Sequence, residues 1–223
     1  MTKPHESVRY NKSAYTRLQK LVAQGEGSQL EFKRKASYPE KIVREMIAFA
    51  NTNGGTVLIG VDDDGTIAGL KHPDGEAHVI NKALTRCRPA LNVQESFIAT
   101  GNGRCVLQYD IGKNPKKIHY LIKEDQRREA YVRVNDQSIK ASREMREIIK
   151  RAQRQRGITF HYGEHEKFLM QYLEENTSIT LKQFMELCNL KRFYASRKLI
   201  LLVLANVLRI TPHEKGDVYS RAF

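Results

Sequence analysis

The stretch that decides the fold is AFANTNGGTVLIGVDD, residues 48–63. Its apolar start completes a helical stripe that begins near Pro39, and its polar middle ends at Gly54 and Gly55. Glycine readily adopts the positive φ angles that a tight turn requires. The β-branched run at 56–61 is typical of a buried central strand. This stretch therefore predicts a helix that turns sharply into a strand at the centre of a sheet.

Strands and helices alternate on both sides of this stretch. The spacing of apolar residues predicts helices at 10–23 and 76–87, and Ser142 is predicted to cap a basic helix that runs to 154. Residues 66–70 are predicted to form a hairpin with the central strand. Alternation and turn residues predict further strands at 28–33, 93–100, 104–111, 118–122 and 129–134. The interleaving predicts an α+β fold built on a mixed sheet.

The C-terminal part of the chain follows a different pattern. Three helical segments lie at 164–175, 180–188 and 191–206, and two short strands follow at 208–211 and 218–222. Three helices followed by a two-stranded ribbon is the order of a winged helix, a variant of the helix-turn-helix. The predicted organisation is a larger domain at 10–152, a basic linker at 153–162 and a winged-helix domain at 163–223.

Charge gives the first indication of a partner. The chain carries 38 Lys and Arg against 25 Asp and Glu, a net charge of +13. An excess of this size attracts polyanions and releases counterions from phosphates, which favours nucleic acid as the partner. The alternative is a solvated basic face with no such role. Most of the basic excess lies in two stretches, at 3–20 and 140–156. A membrane partner is disfavoured, because neither stretch carries a strong apolar face.

Composition and motifs exclude several other classes of protein. No apolar run approaches the ~20 residues of a membrane span, and the first ten residues contain no signal-peptide core, so a cytoplasmic location is expected. Cys87, Cys105 and Cys188 form no CxxC pair, which argues against a disulfide framework and a zinc site. The absence of a GxxxxGK[ST] motif disfavours a conventional P-loop ATPase.

Three segments in fixed order carry a family resemblance. They are EGSQLEFK at 26–33, the opening stretch at 48–63 and YVRVNDQSIKAS at 131–142. Together they resemble the AlbA-type domain shared by Schlafen proteins and many bacterial regulators. The resemblance implies a mixed α+β domain that binds nucleic acid, often followed in bacteria by a winged helix.

The resemblance also implies a candidate catalytic site. Some Schlafen proteins carry a metal-dependent ribonuclease site of two glutamates and an aspartate, which match Glu26, Glu31 and either Asp62 or Asp63. Carboxylates of this kind suit Mg²⁺ or Mn²⁺, which are the cofactors that such a site would take. Lys33 could then position a phosphate. The alternative is a structural ion pair between Glu31 and Lys33, with the aspartates forming only a turn.

Further candidate residues lie on two predicted helices. The third helix of the C-terminal part would be the recognition helix, and its first two turns hold Lys191, Arg192, Tyr194, Arg197 and Lys198. The basic helix that precedes the linker adds Arg143, Arg146 and Lys150. Residues 51–55 are favoured for a structural role, with phosphate contact as the alternative.

These observations favour one function and leave two others open. The leading prediction is a bacterial DNA-binding protein that acts as a transcriptional regulator, with DNA favoured over RNA. The alternatives are a divalent-metal-dependent nuclease that uses the acidic residues, and a nucleotide-binding or assembly module. A homodimer is allowed, but no heptad pattern indicates one.

Overall fold

The computed structural model describes residues 9–114, 117–152 and 162–223. Contacts divide the chain into two compact units that separate between Ser138 and Ile139. This division assigns the basic helix to the C-terminal unit, where Glu144 and Ile148 are buried. The predicted boundaries at 10–152 and 163–223 stay a prediction, and the predicted linker lies outside the described residues except for Tyr162.

Helices and strands alternate along the first unit, as the sequence predicts. The helices are α1 (Lys12–Val22), α2 (Pro39–Asn51) and α3 (Pro73–Leu84). The strands are β1 (Leu30–Lys33), β2 (Gly55–Ile59), β3 (Cys87–Arg88), β4 (Val93–Ala99), β5 (Cys105–Ile111), β6 (Tyr120–Ile122), β7 (Arg128–Glu129) and β8 (Tyr131–Val134). The next strand, β9 (Gln137–Lys140), lies where the two units divide.

The main sheet is mixed, which confirms the predicted α+β class. Its strands lie in the order β1-β2-β5-β4. The β1 and β2 strands pair in parallel, whereas β2 with β5 and β5 with β4 pair antiparallel. The opening stretch at 48–63 thus contributes the end of α2 and the internal strand β2.

Both faces of this sheet are buried. Along β2, Val57 and Ile59 pack into the cluster that contains Met46 of α2, while Leu58 packs into the cluster that contains Leu18 of α1. Alternate residues of a strand point to opposite faces, so the sheet lies between α2 and α3 on one side and α1 on the other. The sheet therefore forms the middle layer of the first unit.

Smaller sheets complete the N-terminal part of the fold. One has the strand order β3-β6-β7 with antiparallel pairing, and the other joins β8 to β9. Cys87 of β3 and Leu121 of β6 pack into a cluster with Val43 and Ile47 of α2. The sequence does not predict the two-stranded sheet, because a polar strand such as Gln137–Lys140 carries little apolar alternation.

The C-terminal unit contains α4 (Arg143–Ala152), α5 (Glu164–Glu175), α6 (Leu181–Leu187) and α7 (Arg192–Leu204). Its strands are β10 (Ile179–Thr180), β11 (Leu208–Thr211) and β12 (Val218–Arg221), which form an antiparallel sheet in the order β10-β12-β11. Thr180 accepts a hydrogen bond from the backbone N of Gln183, 3.3 Å away, as expected for the predicted cap. Ser142 likewise accepts one from Met145.

Two local predictions differ from the structure. Residues 66–70 contain no regular strand and pair only through single bridges, Val61 with Ile67 and Leu70 with Cys105. Helix α3 starts at Pro73 rather than near residue 76, since proline fits the first turn of a helix. None of the described helices is long and apolar enough to cross a membrane.

Candidate functional site

Glu31 and Lys33 lie on one face of β1, and the fold explains why. Leu30 and Phe32 point into the cluster that contains α1, so Glu31 and Lys33 between them point towards α2. The Nζ atom of Lys33 donates to Oε1 of Glu31. The structure therefore contains the ion pair that the sequence leaves as the alternative to catalysis.

Arg133 of β8 is the centre of the polar network around Glu31. Its side chain is only 1% exposed, and its Nη2 donates to Oε2 of Glu31 at 2.6 Å and to the backbone O of Gly27 at 2.8 Å. Its Nη1 donates to Oε2 of Glu45 at 2.7 Å. The guanidinium carbon also lies 4.9 Å from the ring centre of Phe49. One arginine therefore joins β1, α2 and the loop before β1.

Glu45 is the second carboxylate of this network. Burial raises its pKa, and the nearby negative charge of Glu31 adds to the rise, while hydrogen bonding to Ser138 and the charge of Arg133 oppose it. The Oγ atom of Ser138 donates to Glu45 and also accepts from Arg133. Each carboxylate thus has a donor that holds it in place, which is how a buried charged network becomes stable.

Two of the other predicted acidic residues, Glu26 and Asp62, have partners of their own. Oε1 of Glu26 accepts a hydrogen bond of 2.7 Å from the backbone N of Phe32. Oδ1 of Asp62 lies 3.4 Å from Nε of Arg34, and Asp63 is exposed. Among the described residues, no three His, Cys, Asp or Glu side chains are grouped so that they could hold a metal ion.

The donor set therefore does not fit a divalent metal. Glu31 is bound by two cations, and Glu26 by a backbone amide. Their carboxylate oxygens therefore already accept hydrogen bonds from protein groups and are not free to coordinate a metal ion. No catalytic step through Glu26, Glu31, Asp62 or Asp63 follows from this geometry.

Residues 51–55 hold the fold together at the end of α2. The side-chain amide of Asn51 donates to the backbone O of His119 and of Tyr131, both at 3.0 Å, and its Oδ1 accepts from the backbone N of His119 at 2.8 Å. Gly54 has φ +75°, and a Cβ there would lie 2.8 Å from the backbone O of Ile111. These contacts support the structural role over phosphate contact.

A basic groove runs between α4 and α7 of the C-terminal unit. Its volume is about 520 Å³. It is lined by Arg143, Glu144, Glu147, Arg151, Arg192, Phe193, Ser196, Arg197 and Ile200. Four guanidinium groups against two carboxylates leave two uncompensated positive charges. Such a groove attracts phosphate groups.

The two carboxylates of the groove have fixed partners. Glu144 is 4% exposed and accepts a hydrogen bond of 2.8 Å from Oγ of Ser196, while Nη2 of Arg192 lies 3.8 Å from its Oε1. Glu147 accepts from Nε of Arg151 at 2.7 Å. These contacts position the walls of the groove and leave Arg143 and Arg197 exposed on its rim.

The predicted nucleic-acid-binding residues fall into two groups. Most are on the surface of α4 and α7, where Lys150, Lys191, Arg192 and Arg197 are exposed and Tyr194 is 56% exposed. Arg146 is half-buried and donates back to the carbonyl of Ser142.

Lys33 and Lys198 form the second group, because each is held by a buried carboxylate. Nζ of Lys198 lies 2.5 Å from Oε1 of Glu166, whose side chain is 3% exposed. Burial opposes ionisation of Glu166, but the hydrogen bonds from Lys198 and from the backbone of Gly163 outweigh it and lower its pKa. Geometry therefore favours a structural role for both lysines.

Little in the sequence indicates the residues that organise these sites. Arg133 and Glu45 lie far apart in the chain, and Glu144 faces inward from a helix that is otherwise rich in exposed charge. The alternation of Tyr131 and Arg133 in β8 is the available signal for Arg133, since it puts the arginine on the side of the buried Tyr131.

The comparison with family models concerns mainly the first unit. A family model described as Schlafen, AlbA_2 matches residues 26–142. No curated protein matches the chain.

Solved structures also match part of the chain. The DIP2311 protein from Corynebacterium diphtheriae is 19% identical with a TM-score of 0.42, over 64% of this chain and 32% of that protein, so the match spans about a third of the relative. The N-terminal domain of a protein named as related to the ATP-dependent DNA helicase RecG, from Nitrosomonas europaea, is 22% identical with a TM-score of 0.39. That match covers 71% of this chain and 99% of the domain.

Proposed function

This chain belongs to the Schlafen AlbA_2 family, and we propose that it binds nucleic acid through the groove between α4 and α7. Family membership points to a nucleic-acid-binding role, and one observation carries the choice of surface. Arg143, Arg151, Arg192 and Arg197 line the same groove and outnumber its carboxylates. Guanidinium groups bind phosphate in a bidentate manner, so this arrangement suits a phosphodiester backbone.

The proposal includes a winged helix in the C-terminal unit. Helix α5, the short strand β10, helices α6 and α7 and the ribbon β11-β12 follow one another in the order of that fold. Helix α7 is then the recognition helix, and the loop at 212–217 is the wing. Arg192, Tyr194 and Arg197 are exposed on α7, which makes them available to a groove of duplex DNA.

Duplex DNA is the preferred ligand in this proposal. Phosphate contacts from arginine position a protein on the duplex, whereas contacts to base edges provide sequence preference. Tyr194 and Arg197 on the exposed side of α7 are the candidates for base contact. A chain with these properties would act as a transcriptional regulator. The nuclease remains the competing hypothesis, although the geometry of Glu26 and Glu31 does not favour it.

The test measures binding and cleavage in the same reaction. The full chain is incubated with labelled duplex DNA, single-stranded DNA or tRNA, with and without Mg²⁺ or Mn²⁺. We expect retardation of duplex DNA that weakens steeply as salt rises, without metal-dependent cleavage. Cleavage that requires the metal and disappears in a Glu31→Gln variant that is still folded would establish the nuclease instead.

A pair of matched variants tests the surface. Arg192→Ala with Arg197→Ala removes two charges from α7, and Lys167→Ala with Lys182→Ala removes two exposed charges from α5 and α6. The first pair should reduce duplex affinity at least tenfold, since each specific arginine contact is worth about 1–3 kcal/mol. Equal affinity of the two double variants would remove α7 as the recognition helix.

A further inference from the structure

A second basic surface lies on the outer face of the β3-β6-β7 sheet. In the strand register, Cys87 is paired with Leu121, and Arg88 with Tyr120. Ile122 is paired with Arg128. Cys87 and Leu121 are fully buried against α2, so the residues that alternate with them face outward. We call Arg88, Tyr120, Ile122 and Arg128 the outer sheet face.

The outer sheet face forms one wall of a broad depression. Its volume is about 750 Å³, and Arg86, Lys123, Glu124 and Gln126 also line it. Arg88 and Arg128 are exposed at the two edges of the three-stranded sheet, while Tyr120 is half-buried on the strand between them. The surface thus presents two cations with an aromatic ring between them.

The positive charge of this depression is only partly compensated. Four cations line it, and Glu124 is the carboxylate among the lining residues. Beneath it, Glu40 binds both Arg86 and Lys123, in addition to Arg44 of its own helix. Four positive charges against Glu124 and Glu40 leave an excess of two. A surface excess of this kind attracts a polyanion.

The guanidinium group of Arg88 is fixed in position by the backbone beside it. Its Nη1 donates to the backbone O of Thr85 at 2.6 Å and of Cys87 at 2.8 Å. Backbone carbonyls fix the guanidinium group without neutralising it, so its remaining donors keep their charge and direction. Fixing the side chain before binding reduces the entropy that binding would cost.

We infer that the outer sheet face is a second phosphate-contacting surface for nucleic acid, separate from the groove of the C-terminal unit. The inference rests on the proposed nucleic-acid-binding function. Adjacent strands lie about 4.8 Å apart and each residue rises about 3.4 Å along a strand. Arg88 is opposite Tyr120 and Arg128 is opposite Ile122, so the two backbones are separated by two strand spacings and two residues, roughly 12 Å. At this spacing the two guanidinium groups can contact different phosphates of one strand, each neutralising one charge. Tyr120 lies between these contacts, where its ring meets a sugar or an unpaired base.

The experiment compares the salt dependence of binding by the full chain. Arg88→Gln with Arg128→Gln removes two charges from the outer sheet face. Arg17→Gln with Lys20→Gln is the matched control, because it removes two exposed charges from α1, on the other side of the main sheet. The probes are a labelled duplex of mixed sequence and one of its single strands.

In the outer-face variant, the slope of log affinity against log salt concentration should become shallower by about two, because two arginines no longer neutralise a phosphate each. The affinity at low salt should be about tenfold weaker. Arg88→Lys with Arg128→Lys should retain most of the slope. Tyr120→Ala, compared with Tyr120→Phe, should weaken binding of the single strand. Identical slopes for the outer-face variant and the α1 control would overturn the inference.

Arg88 also supports its own turn, so Arg128→Gln alone provides a milder variant. It should make the slope shallower by about one, and an unchanged slope would again overturn the inference. The two proposals fail in different ways. If the unmodified chain binds no nucleic acid, both are wrong. If binding responds to Arg192→Ala with Arg197→Ala but not to the outer-face variants, only this inference is wrong.

Discussion

Arg133 and Glu31 are joined by a 2.6 Å hydrogen bond between residues that lie 102 positions apart in the chain. The same guanidinium group binds Glu45, so one buried cation pairs with carboxylates from both β1 and α2. Lys33 adds a second cation to Glu31. Removing the central cation of such a network leaves buried carboxylates short of a positive charge, which costs far more than the network contributes when it is complete.

Replacing Arg133 with Met should therefore destabilise the first unit strongly. The variant leaves Glu31 and Glu45 without their shared donor, and we expect a loss of about 3–5 kcal/mol in the free energy of unfolding. Urea denaturation followed by circular dichroism measures this loss. Arg128→Gln is the control, because Arg128 is exposed and its replacement should change stability by less than about 0.5 kcal/mol. A small effect of Arg133→Met would contradict the structural role of the network.

Glu40 should make stability depend on pH in the acid range. The hydrogen bond from Lys123 is the main cause that lowers its pKa from 4.5 to about 2; burial opposes the shift, and Arg44 supports it. A carboxylate with a lowered pKa stabilises the fold above its unfolded pKa, and this stabilisation is lost as pH falls towards 2.

Glu40→Gln should thus cost about 1–2 kcal/mol at neutral pH, a figure reduced for the partial exposure of the carboxylate. The difference from the unmodified chain should shrink as pH falls from about 4.5 towards 2. Thermal unfolding over a pH series measures it, with Glu124→Gln as an exposed control. A difference that stays constant with pH would show that Glu40 acts by packing rather than by charge.

Asn51 gives a third prediction, because its amide bonds to the backbone at two separate places in the chain. Asn51→Ala removes the partner of the backbone groups of His119 and Tyr131, and we expect a decrease of ~2–3 kcal/mol in unfolding free energy. Asn53→Ala, an exposed residue of the same segment, should cost much less. If Asn51→Ala weakened nucleic-acid binding while stability was unchanged, phosphate contact would be the correct interpretation instead.

Local sequence patterns predict the elements better than the contacts between them. The β-branched run of β2, the caps at Ser142 and Thr180 and the hairpin of β4 and β5 are properties of neighbouring residues, and the structure confirms them. Residues 66–70 look like a strand, yet they pair only through single bridges. The β-propensity of a segment does not reveal whether a neighbouring strand is available to pair with it along its full length.

The candidate sites show the same limit. Alternation predicts that Glu31 and Lys33 share a face, but not that Arg133 meets them there. Helical spacing places Arg192 and Arg197 on α7, yet their common groove with Arg143 depends on how α4 packs. Long-range packing decides which charges are neutralised, so basic residues close together in the sequence, such as Arg197 and Lys198, have different environments.

Arg197 and Lys198 therefore give the sharpest prediction. Lys198→Met should cost about 2–3 kcal/mol in unfolding free energy, because it leaves the buried carboxylate of Glu166 without its cation. The folded variant should keep its affinity for duplex DNA. Arg197→Gln should do the reverse, with stability unchanged and affinity reduced about tenfold, since Arg197 is exposed on the groove. Denaturation and gel retardation of the same samples separate the effect on stability from the effect on binding. Weaker DNA binding by the folded Lys198→Met variant would show that Lys198 contacts the DNA.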